Sequence, residues 1–177
     1  LIKTACFPEY GCFYFFVYIP MQLTPEQKQF IMAHAQDDVR ETALCFARGD
    51  IPLLLAQIAG RQIAEKKIPS WYAEEDVIYP PHLSLEQSSS ELTARYKASL
   101  VTSASTSTSV DQTFVVTAGA LTSIDGAKAT FVDLTGGMGV DFSFLAPCFR
   151  NAVYVEQNKE LCGIAEHNFG VLGLKNA

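Results

Sequence analysis

The spacing of hydrophobic and polar positions changes about two thirds of the way along the chain. Up to residue 100, apolar side chains recur every three or four residues, which is typical of amphipathic helices. After residue 113, short apolar runs rich in β-branched and aromatic residues precede one long helical pattern. Between them lies a stretch, residues 99–109, in which eight of eleven side chains are Ser or Thr. This composition predicts a linker that joins two different structural units.

The first unit is predicted to be helical, because each of its apolar patterns has a recognisable start. Thr24-Pro25-Glu26-Gln27 combines a hydroxyl N-cap, a proline at the first helical position and a glutamine three residues after the cap. Ser88 and Glu91 have the spacing of a second capping box. The predicted helices span residues 24–36, 37–49, 50–67 and 88–100, with an irregular segment at 68–87.

The second unit alternates strands and helices. Strands are predicted at 114–117, 130–134 and 152–156, and helices at 140–146 and 158–172. A strand, a glycine turn, a helix, a second strand and a second helix form the opening half of a doubly wound parallel sheet. The predicted fold class is therefore α/β, with a small N-terminal helical domain followed by this partial sheet. A third strand of the doubly wound pattern, after those at 130–134 and 152–156, is expected to follow Ala177.

The first twenty-one residues differ from the rest of the chain. Residues 10–19 are aromatic and apolar, but this run is shorter than the ~20 residues that cross a bilayer. A well-formed helix start follows Met21 directly. Residues 1–21 are therefore predicted to be a non-native or disordered leader, 22–100 the helical domain and 101–113 the linker, with no membrane partner.

Charge and cysteine content narrow the classes of function. Thirteen basic and nineteen acidic side chains give a net charge of −6, without the Lys/Arg stripe that nucleic-acid binding requires. Either the substrate is not nucleic acid, or the basic surface lies on a part of the protein outside this chain. The five cysteines are widely spread and have no metal-binding spacing, which indicates reduced thiols in a cytosolic protein and no metal site.

The candidate chemistry lies in a glycine-rich turn between two acids. Gly136, Gly137 and Gly139 follow a strand that ends at Asp133, and Glu156 ends the next strand. Glycines there permit positive φ and close approach of a ligand. A dinucleotide fingerprint would need a third glycine at position 142, where this chain has Phe.

The charges near this turn also discriminate between ligands. Asp133 and Asp141 would both repel a pyrophosphate, whereas they suit a ligand with a cationic end. Glu156 stands where this kind of fold uses an acid to bind ribose hydroxyls. S-adenosylmethionine combines an ammonium, a sulfonium and a ribose, and it is the ligand that these positions favour.

The segments 132–141, 153–156 and 85–97 resemble the class I S-adenosylmethionine-dependent methyltransferases. The resemblance is strongest to a bacterial branch that carries a THUMP-like RNA-binding region and is related to the trimethylguanosine-synthase type. It implies that residues 114–177 are a partial, Rossmann-like S-adenosylmethionine-binding domain. The cofactor-binding residues that it implies are Asp133, Leu134, Thr135, Gly136, Gly137, Met138, Gly139, Glu156 and Gln157. Three further candidate residues lie in the segment 85–97, before the predicted sheet: Gln87, Ser89 and Thr93.

The same resemblance implies an RNA substrate that is bound by regions outside this chain. The motif that contacts the methyl acceptor in such enzymes would lie beyond Ala177, so no catalytic residue is named. We expect the chain alone to be inactive and to bind the cofactor weakly or not at all. Two alternatives stay open: a fragment of an NAD- or FAD-dependent oxidoreductase, and a non-catalytic helical interaction module.

Overall fold

The computed structural model describes residues 3–6, 22–47, 49–80, 82–103, 113–115 and 130–174. The helices within these ranges are α1 (Pro25–Ala33), α2 (Val39–Cys45), α3 (Ile51–Lys67), α4 (Pro69–Tyr72), α5 (His82–Gln87), α6 (Glu91–Ser103), α7 (Val140–Leu145) and α8 (Lys159–Val171). The strands are β1 (Lys3–Cys6), β2 (Thr113–Val115), β3 (Thr130–Asp133) and β4 (Asn151–Glu156), and a 3₁₀ turn spans Ala146–Cys148.

The start of α1 confirms the first predicted capping box. The Thr24 hydroxyl accepts the Gln27 N–H at 3.2 Å, and the Gln27 side chain accepts the Thr24 N–H at 3.0 Å. Two backbone N–H groups that a helix start leaves without partners are satisfied in this way. The helix therefore begins where the sequence predicts.

The second predicted capping box, between Ser88 and Glu91, is wrong. The Ser88 hydroxyl donates to the Leu85 carbonyl at 2.7 Å, which closes the turn after α5. The cap of α6 is Ser90, whose hydroxyl accepts the Thr93 N–H at 3.2 Å. With three consecutive serines, the spacing to an acid does not decide which serine caps the helix.

The Glu91 carboxylate has a different function from capping its own helix. It accepts the Ser70 N–H at 2.8 Å and an Arg95 N–H at 2.7 Å, so it connects α6 to the start of α4. Burial alone would raise the pKa of Glu91, but the hydrogen bonds from Ser70 and the charge of Arg95 lower it.

The strands form one parallel sheet with the order β1-β4-β3-β2. Phe131 of β3 stands opposite Ala152 of β4, and α7 connects these two strands. This arrangement agrees with the predicted α/β class. Lys3–Cys6, which belong to the predicted leader 1–21, pair with β4 at one edge. Residues 7–21 and most of the predicted linker 101–113 lie outside the described residues.

Aromatic rings fill the space between the sheet and the helices that follow it. Phe131 stacks on Phe142 of α7, with ring centroids 5.6 Å apart, and on Phe149 at 5.2 Å. Phe169 of α8 lies 5.0 Å from Phe142. Each of these rings is almost fully buried, and burial of such a side chain contributes about 1.5–3 kcal/mol to folding.

The helical unit shares a core with the sheet unit. A single buried cluster takes residues from both: Ala64, Ile68, Trp71, Val77, Tyr79, Leu85, Ala94, Met138 and Val140. The segment predicted as irregular, 68–87, contributes α4, α5 and the buried stretch 77–80 to this contact. Across the described ranges, no helix combines the length and the apolar character that crossing a bilayer requires.

A strap formed by residues 77–80 is fixed by two buried amide side chains. Asn168 of α8 accepts the Ile78 N–H at 2.9 Å and donates to the Ile78 carbonyl at 2.8 Å. Gln57 of α3 bonds the backbone N–H and carbonyl of Tyr79 in the same way, each at 2.9 Å. The strap therefore forms hydrogen bonds like those of a strand, although its partners are side chains.

Candidate functional site

The candidate site lies at the carboxyl ends of β3 and β4. The chain leaves β3 at Asp133, turns through residues 134–139 and enters α7 at Val140. Ligands of open α/β sheets bind at this edge, where the turns after parallel strands meet. The predicted site residues on the first turn thus stand beside Glu156, the last residue of β4.

Two glycines of the turn have conformations that other residues rarely adopt. Gly137 has φ +56° and Gly139 has φ +89°. A Cβ atom on Gly139 would also lie 2.5 Å from Cζ of Phe169. At Gly137, by contrast, the nearest atom to such a Cβ is the Thr135 carbonyl oxygen at 4.0 Å. The backbone of Gly137 therefore faces open space, into which a ligand can fit.

Gly136 is required for a different reason. Its φ is not positive, but a Cβ there would lie 2.1 Å from Cε2 of Tyr154. The turn rests directly on this tyrosine ring, and only glycine permits such close contact. The sequence-based expectation of positive φ is confirmed for Gly137 and Gly139, whereas Gly136 provides close packing.

Glu156 connects the turn to the end of β4. Its Oε2 accepts the Gly137 N–H at 2.8 Å, and its Oε1 accepts the Asn158 N–H at 2.9 Å. Each carboxylate oxygen can accept two hydrogen bonds. The half-buried Glu156 side chain can therefore hold the turn and still accept hydrogen bonds from the hydroxyls of a ligand.

Asp133 is a partly buried carboxyl at the end of β3. Its Oδ1 accepts the Thr135 N–H at 3.1 Å. Burial raises the pKa of Asp133, and the charges of Asp141 and Glu156 add to this effect, while the Thr135 N–H and Lys97 oppose it. The ionised carboxylate is therefore disfavoured in the free protein, and a cationic ligand group beside it would relieve that cost.

Asp141 is bound to the helical unit. Its Oδ2 accepts the Ser89 hydroxyl at 2.7 Å and the Lys97 ammonium at 2.8 Å, and Lys97 also donates to the Ser89 hydroxyl at 3.0 Å. Asp141 Oδ1 is buried without a hydrogen-bond partner among the described residues. The sequence alone indicates that Asp141 is a second free carboxylate beside the ligand; in the structure Lys97 neutralises its charge.

The remaining predicted residues fall into two groups. Leu134, Thr135 and Gln157, which follow β3 and β4, are exposed, and so are Gln87 and Thr93. Met138 is 2% exposed, and its side chain packs in the cluster shared with the helical unit. A ligand in the site can therefore contact position 138 only through its backbone.

Tyr154 and Lys97 lie in the segments 153–156 and 85–97, which carry the sequence resemblance, but no function was predicted for either residue. Tyr154 lies two residues before Glu156, and side chains two apart on a strand share a face. That spacing could have placed Tyr154 under the turn. Lys97 is 44 residues from Asp141, and no local pattern predicts their contact.

Within the part of the chain that the structure describes, no three His, Cys, Asp or Glu side chains are grouped to hold a metal ion. The carboxylates of the site are instead engaged by backbone N–H groups, by Ser89 and by Lys97. The donor set around the turn therefore suits an organic ligand that carries hydroxyl and cationic groups.

Comparisons with known proteins support the fold. No family model matches the chain, and no curated protein matches it. A solved structure described as a "putative methyltransferase from Porphyromonas gingivalis W83" is similar over 86% of this chain, with 24% sequence identity and a TM-score of 0.59. The chain spans 34% of the length of that protein. At this identity the similarity shows a shared, methyltransferase-like α/β fold.

Proposed function

We propose that this chain contains the S-adenosylmethionine-binding half of a methyltransferase. The observation that supports the proposal most strongly is the placement of Glu156. Its carboxylate accepts the Gly137 N–H of the turn that begins at Asp133, and the space beside Gly137, where a Cβ would lie, is open. A ribose at Glu156 and a cationic amino-acid end near Asp133 would match the charges of this space.

The residues around the turn fit this cofactor in two ways. A ligand can lie against the backbone of Gly137, because the position that a Cβ would take is open. Burial raises the pKa of Asp133, and the charge of Lys97 does not offset this, so a cationic ligand group beside Asp133 would favour its ionised form. When bound, the cofactor supplies an activated methyl group on sulfonium. The protein's contribution is to hold the reacting groups in line, which accounts for much of the rate in such transfers.

The same geometry disfavours a dinucleotide. A pyrophosphate would sit at the N-terminus of α7, next to the carboxyl of Asp133, whereas the charge of Asp141 is already neutralised by Lys97. Position 142, where the dinucleotide fingerprint has glycine, is a fully buried Phe stacked on Phe131. The large Phe142 ring therefore keeps α7 from packing as close to β3 as the third glycine of that fingerprint allows.

The cofactor is tested by ligand-observed NMR, which detects weak binding. S-adenosylhomocysteine and NAD are titrated separately into the 177-residue chain. We expect S-adenosylhomocysteine to bind with a Kd of about 1 mM and NAD not to bind. The affinity should be weak because the chain spans only 34% of the length of the methyltransferase structure that it resembles.

Two matched variants give the test its specificity. Glu156→Gln removes the charge and one acceptor oxygen beside the turn, and we expect it to weaken binding of S-adenosylhomocysteine about tenfold. Glu160→Gln makes the same chemical change at an exposed position in the first turn of α8 and should leave binding unchanged. Binding of NAD without S-adenosylhomocysteine would contradict the proposal, as would equal effects of the two variants.

We propose further that RNA is the methyl acceptor, on the strength of the sequence resemblance. The acidic net charge of −6 favours RNA contacts that lie outside this chain. Because we expect the chain alone to be inactive, the test uses the full-length protein with methyl-labelled S-adenosylmethionine and total RNA or total protein. If ribonuclease releases the precipitable label, the methyl acceptor is RNA and the proposal is supported. If only protease releases it, the acceptor is protein and the proposal is contradicted.

A further inference from the structure

Both polar backbone groups of Gly137 are bound by side chains of one strand. The Tyr154 hydroxyl donates to the Gly137 carbonyl, and the Glu156 carboxylate accepts the Gly137 N–H. Tyr154 and Glu156 are two residues apart on β4, so they share one face of the strand. The peptide groups on either side of Gly137 are thus fixed at two points by a rigid element.

The position of the Tyr154 hydroxyl is itself fixed. The side chain has no exposed surface, and its ring makes edge contacts with Phe142 at 5.6 Å and with Phe169 at 5.3 Å. Gly136 lies directly against the ring face, where no Cβ would fit. A buried hydroxyl normally has a hydrogen-bond partner, and here that partner is the turn.

We propose that Tyr154 is a positioning residue for the cofactor turn, an inference that rests on the function proposed above. A glycine at φ +56° has many alternative conformations, and fixing one of them costs conformational entropy. Tyr154 and Glu156 impose that conformation before a ligand arrives. A ligand that contacts the turn then binds to a preorganised backbone and loses less affinity to ordering.

The two side chains act on different parts of the ligand. Glu156 has remaining acceptor capacity for ribose hydroxyls, so its effect includes the nucleoside. Tyr154 is buried beneath the turn and reaches the ligand only through Gly137. Loss of the Tyr154 hydroxyl should therefore weaken only ligands whose amino-acid end contacts the turn.

The experiment compares S-adenosylhomocysteine with adenosine, which lacks the amino-acid end, on wild-type chain and on Tyr154→Phe. The variant keeps the ring contacts with Phe142, Phe169 and Gly136, so we expect it to fold. We expect the Kd of S-adenosylhomocysteine to rise about five- to tenfold and that of adenosine to change less than about twofold. Tyr72→Phe, which removes a hydroxyl from the helical unit, is the control and should change neither.

Amide hydrogen exchange provides a measurement that needs no ligand. Release of the turn in Tyr154→Phe should speed exchange of the Gly137 amide about five- to tenfold relative to wild type. Unchanged exchange at Gly137 would overturn the inference, as would equal weakening of both ligands or no weakening of S-adenosylhomocysteine. If wild type binds neither ligand, the exchange rate at Gly137 alone decides whether Tyr154 positions the turn.

Discussion

Asn168 of α8 holds Ile78 by both polar atoms of its amide, across 90 residues of sequence. The side chain has no exposed surface, and the two backbone groups that it bonds are buried with it. This contact attaches the helical unit to the last described helix of the sheet unit. An amide that forms a buried two-point hydrogen bond fixes one relative placement of the two elements.

Replacement of Asn168 by Leu should strongly destabilise the protein. The variant leaves the Ile78 N–H and carbonyl buried without partners, and each unsatisfied group costs about 1–3 kcal/mol. We expect the free energy of unfolding in urea to fall by about 2–5 kcal/mol. Glu166→Ala, at an exposed position on the same helix, should change it by less than about 0.5 kcal/mol. If Asn168→Leu and Glu166→Ala lower the free energy of unfolding equally, the contact between Asn168 and Ile78 is not structurally important.

Alanine at two glycines should have opposite effects. Gly139→Ala places a side chain at φ +89° and 2.5 Å from the Phe169 ring, and we expect a loss of about 2–4 kcal/mol. Gly170 lies in α8, and a Cβ there would meet nothing within 4 Å, so Gly170→Ala should stabilise by about 0.5–1 kcal/mol. Thermal unfolding of both variants measures the difference; similar shifts in Tm would contradict the turn geometry.

Asp133→Asn should make the protein more stable at neutral pH. Because the pKa of Asp133 is raised in the folded state, its protonated form stabilises the fold below its usual value of 3.8. That contribution is lost as pH rises through the raised pKa. The variant avoids this loss, so its stability advantage should be largest near pH 7 and shrink as pH falls toward 3.8. An advantage that grows on acidification, measured by urea unfolding at each pH, would show the opposite shift.

Lys97 and Asp141 should show a measurable coupling in a double-mutant cycle. Lys97→Met, Asp141→Asn and the double variant are compared by urea unfolding. Both side chains are partly exposed, so we expect a coupling energy of about 0.5–1 kcal/mol, decreasing in 1 M salt. Lys66→Met, at an exposed position on α3, should show no coupling with Asp141→Asn. A zero coupling at low salt would mean that the pair does not join α6 to α7.

Local spacing was sufficient to predict most elements of the fold. The capping box at Thr24, the glycine turn after β3 and the helix after β4 each depend on residues only a few positions apart. Asn168 was not predicted, because the pattern of α8 is defined by its apolar residues alone. Its partner lies in a segment predicted as irregular, and no sequence period indicates that a polar residue belongs in the core.

The same distinction applies to the candidate site. Asp133, the glycines and Glu156 could be predicted because strand ends and turn residues are local features. The engagement of Asp141 by Lys97 depends on how α6 packs on α7, which the spacing within either helix does not fix. The sequence therefore predicted the positions of the strand ends and of the glycine turn better than the contacts that hold them in place.

The edge strand β1 has a consequence for the order in which the protein folds. Lys3 pairs with Val153, so this pairing closes a loop of about 150 residues, whereas β3 and β4 pair across about 20. Closing a longer loop costs more chain entropy before any contact compensates for it. The pair formed by β3 and β4, which carries the glycine turn and Glu156, can therefore assemble early and serve as the template on which β1 docks last.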